Sequence, residues 1–141
     1  MNANDLVAVA LRSPLHAIMG NTMLITVTGR KTGRKITLPV NYYSDGDALW
    51  ILSSRDRSWW RNLRSGGEVG VHLNGRDLIG FGEVILDEKA VAARIVQYVL
   101  HIPVSARSIG LRIENGRPNS EDMARLSKEH LFVKICLGAE S

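Results

Sequence analysis

Two short stretches hold residue types and spacings suited to gripping an anion. The first is TGRKTGRK, residues 28–35, with four cations and two glycines in eight residues. Glycine permits positive φ, so successive backbone N–H groups are able to converge on one negative group. Arg30 and Lys31 add charge, and the Thr32 hydroxyl adds a donor. The competing reading is a hairpin tip idle in water. The second stretch is SSRDRSWWRNL, residues 53–63. Two hydroxyls, Ser53 and Ser54, end a strand, and Arg55 opens a loop that runs into a helix. A helix N-terminus beside hydroxyls and an arginine forms a phosphate cradle. Trp59 and Trp60 follow at adjacent positions, which point about 100° apart on a helix. That predicts one tryptophan anchoring the helix and the other covering a ring system. Asn62 falls three residues after Trp59, on the same helical face.

Other chemistries lack their residues. His16, His72, His101 and His130 are far apart, with no H-x-H or H-E-x-x-H spacing, so no metal site is expected. There is no G-x-S-x-G elbow, no complete Walker A motif and no G-x-G-x-x-G after a strand. The single cysteine, Cys136, lies in the apolar run LFVKICL and reads as a buried, inert thiol in a reducing cytoplasm.

The chain has 141 residues, 45% apolar and 23% charged, the size and composition of one globular domain spanning 1–141. No run approaches the roughly 20 apolar residues of a membrane span. The start, MNANDLVAVALRSPLH, lacks the charge pattern of a signal peptide, and a cytoplasmic location is expected. The net charge is +4, but residues 30–64 hold eight bases against three acids. That segment carries +5, leaving −1 for the remainder. Local basicity suits an anionic small molecule rather than a surface coated for non-specific DNA binding.

The elements that position these stretches follow from periodicity. Residues 4–19 carry apolar side chains at helical spacing as far as Pro14. From residue 22 the period becomes two. MLITVT, KITLPVNYY and ALWILSS read as strands, with SDGD a turn. Pro39 within the second strand predicts an edge or bulge, because it removes a ladder donor. RSWWRNLRSGG reads as a short helix stopped by Gly66-Gly67. EVGVHL and DLIGFGEVIL form a hairpin across Asn74-Gly75. Gly80 and Gly82, at alternate positions, mark a sharp bend or a close approach. DEKAVAARIVQYVLHI is an amphipathic helix ended by Pro103. A further helix, capped by Asn119 or Ser120, precedes the closing strand LFVKICL. Short turns between strands make the sheet mostly antiparallel. Six such strands with glycine bends close into a small barrel, giving an α+β architecture with flanking helices.

The order TGRKTG…LPV…DGD…SSR…WWRNL resembles the deazaflavin-dependent nitroreductase family, small flavin and deazaflavin oxidoreductases with a six-stranded split β-barrel. The resemblance implies an enzyme that binds the deazaflavin coenzyme F-420. It implies Arg30, Lys31 and Thr32 on the coenzyme's phosphate or anionic tail; Lys35, or Arg34 beside it, is a further cation of the turn, in the place of the arginine common at the position of Ile36. Pro39 would lie against the ring, and Ser53 and Ser54 would bond the ring system. Arg55 would hold phosphate, and Trp59 and Asn62 would complete the pocket. It further implies hydride transfer between the reduced coenzyme and a small conjugated or electron-poor acceptor such as a quinone. Ser54, Tyr43 or water would deliver the accompanying proton, and no nucleophile is needed. Here RDRS replaces the family's longer glycine-rich loop, and Ile36 stands where an arginine is common.

Three other readings stand beside this one. FMN carries the same kind of ring and a phosphate. A small basic barrel is also able to bind single-stranded nucleic acid by stacking bases on Trp59 or Trp60, although the clustered bases point away from a nucleic-acid partner. A barrel cavity is also able to hold a lipid or hydrophobic ligand without turnover. A homodimer is compatible with the fold, as is peripheral membrane contact through the N-terminal helix.

Overall fold

A computed structural model describes residues 22–46 and 48–138. The helix expected at residues 4–19 lies outside them. Six strands close into a barrel in the spatial order β1 (Thr22–Thr28), β2 (Lys35–Asp45), β3 (Ala48–Ser54), β8 (His130–Leu137), β5 (Arg76–Ile85) and β4 (Gly67–Leu73). Every neighbouring pair is antiparallel, including the closing pair of β4 and β1. The expected α+β barrel is therefore present.

Turn chemistry sets the registers. Asn74 and Gly75 both take positive φ, and this fixes the β4–β5 hairpin with Leu73 opposite Arg76. Gly46 has a φ of +62° and turns β2 into β3. Gly80 sits where β8 presses on β5. A Cβ there would stand 2.7 Å from Ile135 Cγ2 and 2.9 Å from the Cys136 carbonyl oxygen. The glycine alternation in β5 thus marks close approach.

Two apolar clusters share the sheet. Met23, Ile25, Val27, Leu38, Val40, Leu49, Ile51, Leu131, Val133 and Ile135 fill the barrel, as period-two alternation directs. A 3₁₀ helix, Trp59–Leu63, plugs one end with Trp59, Trp60 and Leu63. Both tryptophans are buried in this cluster, and they differ in that Trp59 also lines the cavity described below while Trp60 does not. Five residues in a tight 3₁₀ turn laid across a barrel mouth bury several directions at once, where a longer surface helix would bury only one. Outside the barrel, α1 (Glu88–His101) packs Val91, Ile95 and Tyr98 against Tyr43, Trp50 and Phe132. Asp87 caps this helix through the N–H of Ala90 at 3.0 Å. Asn119 caps α3 (Ser120–Glu129) through the N–H of Asp122.

Three expectations need correction or addition. Cys136 is exposed, not buried. It alternates with the inward Ile135 and lies beyond the part of the outer face that α1 covers. Between α1 and α3 the chain also forms a short helix, α2 (Ser105–Ile109), and a two-residue hairpin, β6 (Ile113–Glu114) with β7 (Arg117–Pro118). Its turn is Asn115-Gly116, both at positive φ, the same signal that marks the β4–β5 hairpin.

β2 pairs with β1 from Lys35 to Asn41, but β3 meets it only at Tyr42–Asp45. Pro39 therefore sits in a stretch of β2 that β3 does not reach, which accommodates its missing donor. α1 and α2 lie across the resulting gap, and a cavity opens there.

Candidate functional site

The cavity encloses about 680 Å³, within the range of small-molecule and cofactor sites. Its floor is Pro39 and Asn41 of β2 with Leu52, Ser53 and Ser54 of β3. Trp59, Arg57 and His130 stand at one end, and Tyr98, Ile102, Ser105 and Ile109 of the helices form the opposite wall. Of the residues expected at a coenzyme site, Pro39, Ser53, Ser54 and Trp59 therefore meet in one cavity. The lining mixes apolar side chains with hydroxyls and, among the described residues, one guanidinium without a side-chain partner, a donor set and size suited to the tricyclic ring and phosphate of a deazaflavin.

The basic turn lies outside that lining, and its backbone is occupied with itself. The Gly29 N–H donates to the Arg34 carbonyl at 2.7 Å, and the Gly33 N–H to the Gly29 carbonyl at 2.9 Å. The Thr32 hydroxyl accepts the Arg34 N–H at 3.2 Å. These three donors are therefore not presented to a ligand, so the turn is not the converging backbone nest that its glycines allow. What it offers outward is the side chains of Arg30, Lys31, Arg34 and Lys35, all exposed.

Asn62 joins the turn to the cavity. Its Oδ1 accepts the Arg30 backbone N–H at 3.0 Å, and its Nδ2 donates to the Trp59 carbonyl at 3.0 Å. Arg30 adds a longer bond from Nη1 to the Arg61 carbonyl, 3.4 Å. Asn62 is thus placed to hold the two motifs together, and it does not line the cavity.

The arginines divide their roles differently from the sequence expectation. Arg55 turns away from the cavity. Its Nε donates to the His130 carbonyl at 2.7 Å, and its Nη2 to the carbonyls of Leu86 at 2.6 Å and Ser127 at 3.1 Å. This guanidinium ties β8, α3 and the end of β5 together, which leaves it poorly placed for phosphate. Arg57, two residues on, lines the cavity, is exposed, and has no side-chain partner among the described residues. Sequence reasoning passed it over because it looked only at the first arginine after the serines.

The named proton donors are also constrained. The Ser54 hydroxyl donates to Asp56 Oδ1 at 2.6 Å. Tyr43 is buried outside the barrel under α1, where its oxygen accepts from Arg94 Nη1 at 2.9 Å, and it does not line the cavity. Tyr98 does line it, but burial pushes its hydroxyl up to about 12. It holds its proton firmly at neutral pH. Among the described residues no cluster of potential metal ligands occurs and no helix is long and apolar enough to cross a membrane.

Comparison with known proteins places this geometry. The barrel is similar to a solved FAD- and heme-binding protein from Mycobacterium smegmatis, 19% identical with a TM-score of 0.56 over 84% of this chain. This chain spans 61% of the length of that one. It is also similar to an FAD-binding protein from Mesorhizobium loti, 17% identical with a TM-score of 0.53, covering 99% of this chain and 91% of that one. At such identities the likeness is one of fold. No curated protein sequence matches the chain. The family model described as F420H(2)-dependent quinone reductase matches residues 10–100. That match spans most of the chain, including both basic stretches and the 3₁₀ helix, and the chain belongs to this family of deazaflavin-dependent oxidoreductases.

Proposed function

We propose that the protein reduces a conjugated, electron-poor acceptor such as a quinone, with coenzyme F-420 as the hydride source in the cavity between β2, β3 and the helices. The observation that carries this reading is the meeting of Pro39, Ser53, Ser54 and Trp59 with the unpaired Arg57, tied through Asn62 to the basic turn. When bound, the coenzyme supplies hydride chemistry, so no protein nucleophile is required.

The chain's own residues bind, orient and exclude water. Pro39 and Trp59 provide flat apolar surface for a ring. Ser53 and Ser54 present polar groups at its edge, and Arg57 meets a phosphate. The exposed cations of the turn, Arg30, Lys31, Arg34 and Lys35, suit a flexible anionic tail that runs out past Trp59. On the helical side Ile102, Val104 and Ile109 give the acceptor an apolar approach. Val104 is 71% exposed, so that approach reaches the surface. Trp60 is buried away from the cavity lining and Trp59 faces only the cavity, so neither offers successive bases the open stacking platform of a single-stranded nucleic-acid binder.

The test is parallel isothermal titration with F-420 and FMN, followed by oxidation of the reduced coenzyme with a soluble quinone. Tighter binding of F-420 and quinone-dependent oxidation are expected. Binding of FMN alone, or of neither, would overturn the reading.

A further inference from the structure

The hydride needs a proton partner; besides water, the donors expected from sequence are Ser54 and Tyr43, and both are otherwise engaged. Ser54 is bonded to Asp56, Tyr43 lies under α1, and Tyr98 keeps its proton at neutral pH. Among the described residues of the cavity lining, the one imidazole is that of His130. We infer that His130 is the acid–base residue of the site, with Nδ1 fixed on the Leu126 carbonyl and Nε2 presented to the acceptor. This rests on the reading that the cavity holds coenzyme and acceptor.

The geometry is built by the junction of α3 and β8. His130 is the C-cap of α3 and the first residue of β8, opposite Ser54 of β3. Its backbone N–H and its ring Nδ1 both point at the Leu126 carbonyl, the ring at 3.1 Å. A carbonyl only accepts, so Nδ1 carries the hydrogen, and in the neutral ring Nε2 carries the lone pair. Nε2 has no partner among the described residues. Charged groups around it are Arg55, bonded to the His130 carbonyl, Glu129 next in sequence, Arg57 in the same cavity lining, and Asp56, which accepts from the Ser54 hydroxyl on the facing strand.

The step balances simply. The Nε2–H bond breaks and an O–H bond forms on the acceptor as the hydride, carrying both electrons, arrives from the reduced coenzyme. A quinone thereby gains one hydride and one proton and becomes a hydroquinone. The imidazolium becomes neutral imidazole, and water returns its proton.

Two variants of the full chain test this. His130→Asn keeps an N–H for Leu126 and removes Nε2. His130→Gln places a donor near Nε2 that does not titrate. With F-420 saturating, both are expected to reduce the quinone on the order of 100-fold more slowly, as loss of a general acid does. Added imidazole is expected to restore part of the rate. Ring NMR of the wild type is expected to show the neutral His130 proton on Nδ1. Undiminished turnover in His130→Asn, a loss that imidazole leaves untouched, or a proton on Nε2 in the neutral ring would each overturn the inference. Failure of the underlying reading shows separately, as a wild-type chain that binds no F-420, and removes both.

Discussion

Asn62 Oδ1 accepts the backbone N–H of Arg30 at 3.0 Å, across 32 positions of sequence. With its Nδ2 on the Trp59 carbonyl, one amide holds the basic turn against the 3₁₀ helix that plugs the barrel. The two motifs therefore form one edge, and on the proposed reading tail binding and ring binding would be coupled through it.

Asn62→Ala is expected to weaken F-420 binding although the side chain touches no ligand. The cost to stability is about 1 kcal/mol, the usual net worth of a hydrogen bond. Titration calorimetry beside thermal melts separates the two. A variant with wild-type affinity would refute the coupling.

Arg55 and Arg57 are expected to part company. Arg55→Ala leaves the carbonyls of Leu86, Ser127 and His130 without their donor and is expected to lower stability by about 3 kcal/mol. Arg57→Ala removes a charge with no side-chain partner among the described residues. Its melting temperature is expected to hold while the F-420 dissociation constant rises on the order of tenfold, as for one lost charge-assisted contact of about 1.5 kcal/mol. The reverse pattern in melts and titrations would restore the phosphate to Arg55.

Gly80→Ala is expected to destabilise the barrel by about 1–3 kcal/mol, because the new methyl meets Ile135 and the backbone of β8. Urea melts measure it. A neutral result would mean that β5 and β8 separate easily at that point.

Acid sensitivity is expected to concentrate at Asp122. Hydrogen bonds from the Arg112 guanidinium, and then from the Arg112 backbone N–H, hold its carboxyl at about 2, below the ordinary 3.8. A carboxylate depressed in the folded state stabilises above its unfolded value and loses that contribution as pH falls through the folded one. The loss is expected between about pH 4 and pH 2, and Asp122→Asn is expected to flatten that part of the stability profile. An unchanged slope in acid melts would exclude the ion pair as its source.

Much of the barrel was legible because its signals are local. Asn74-Gly75, SDGD, the alternation of β1 and β8, and the caps Asp87 and Asn119 each act within a few residues. The β6–β7 hairpin carried the same Asn-Gly signal, but its strands are two residues long and leave no alternation to read. The candidate site was legible only as a set of residues. Arg55 and Arg57 differ by two positions, and which one faces the cavity depends on three carbonyls from distant elements. His130 looked like any isolated histidine, because Leu126 fixes its ring only once α3 ends there. Cys136 was misread because an apolar run names a strand without saying how far a helix covers it.

The short contact between β2 and β3 has a mechanical consequence. Among the described residues, the stretch of β2 that carries Pro39 and Asn41 is held by β1 alone. The gap beside it is able to widen without breaking a single ladder bond. For the acceptor proposed above, a molecule larger than the resting slot would then call for side-chain repacking along α1 and α2, while the six-stranded wall keeps its registers. Breadth of acceptor size would in this way be separated from the stability of the fold.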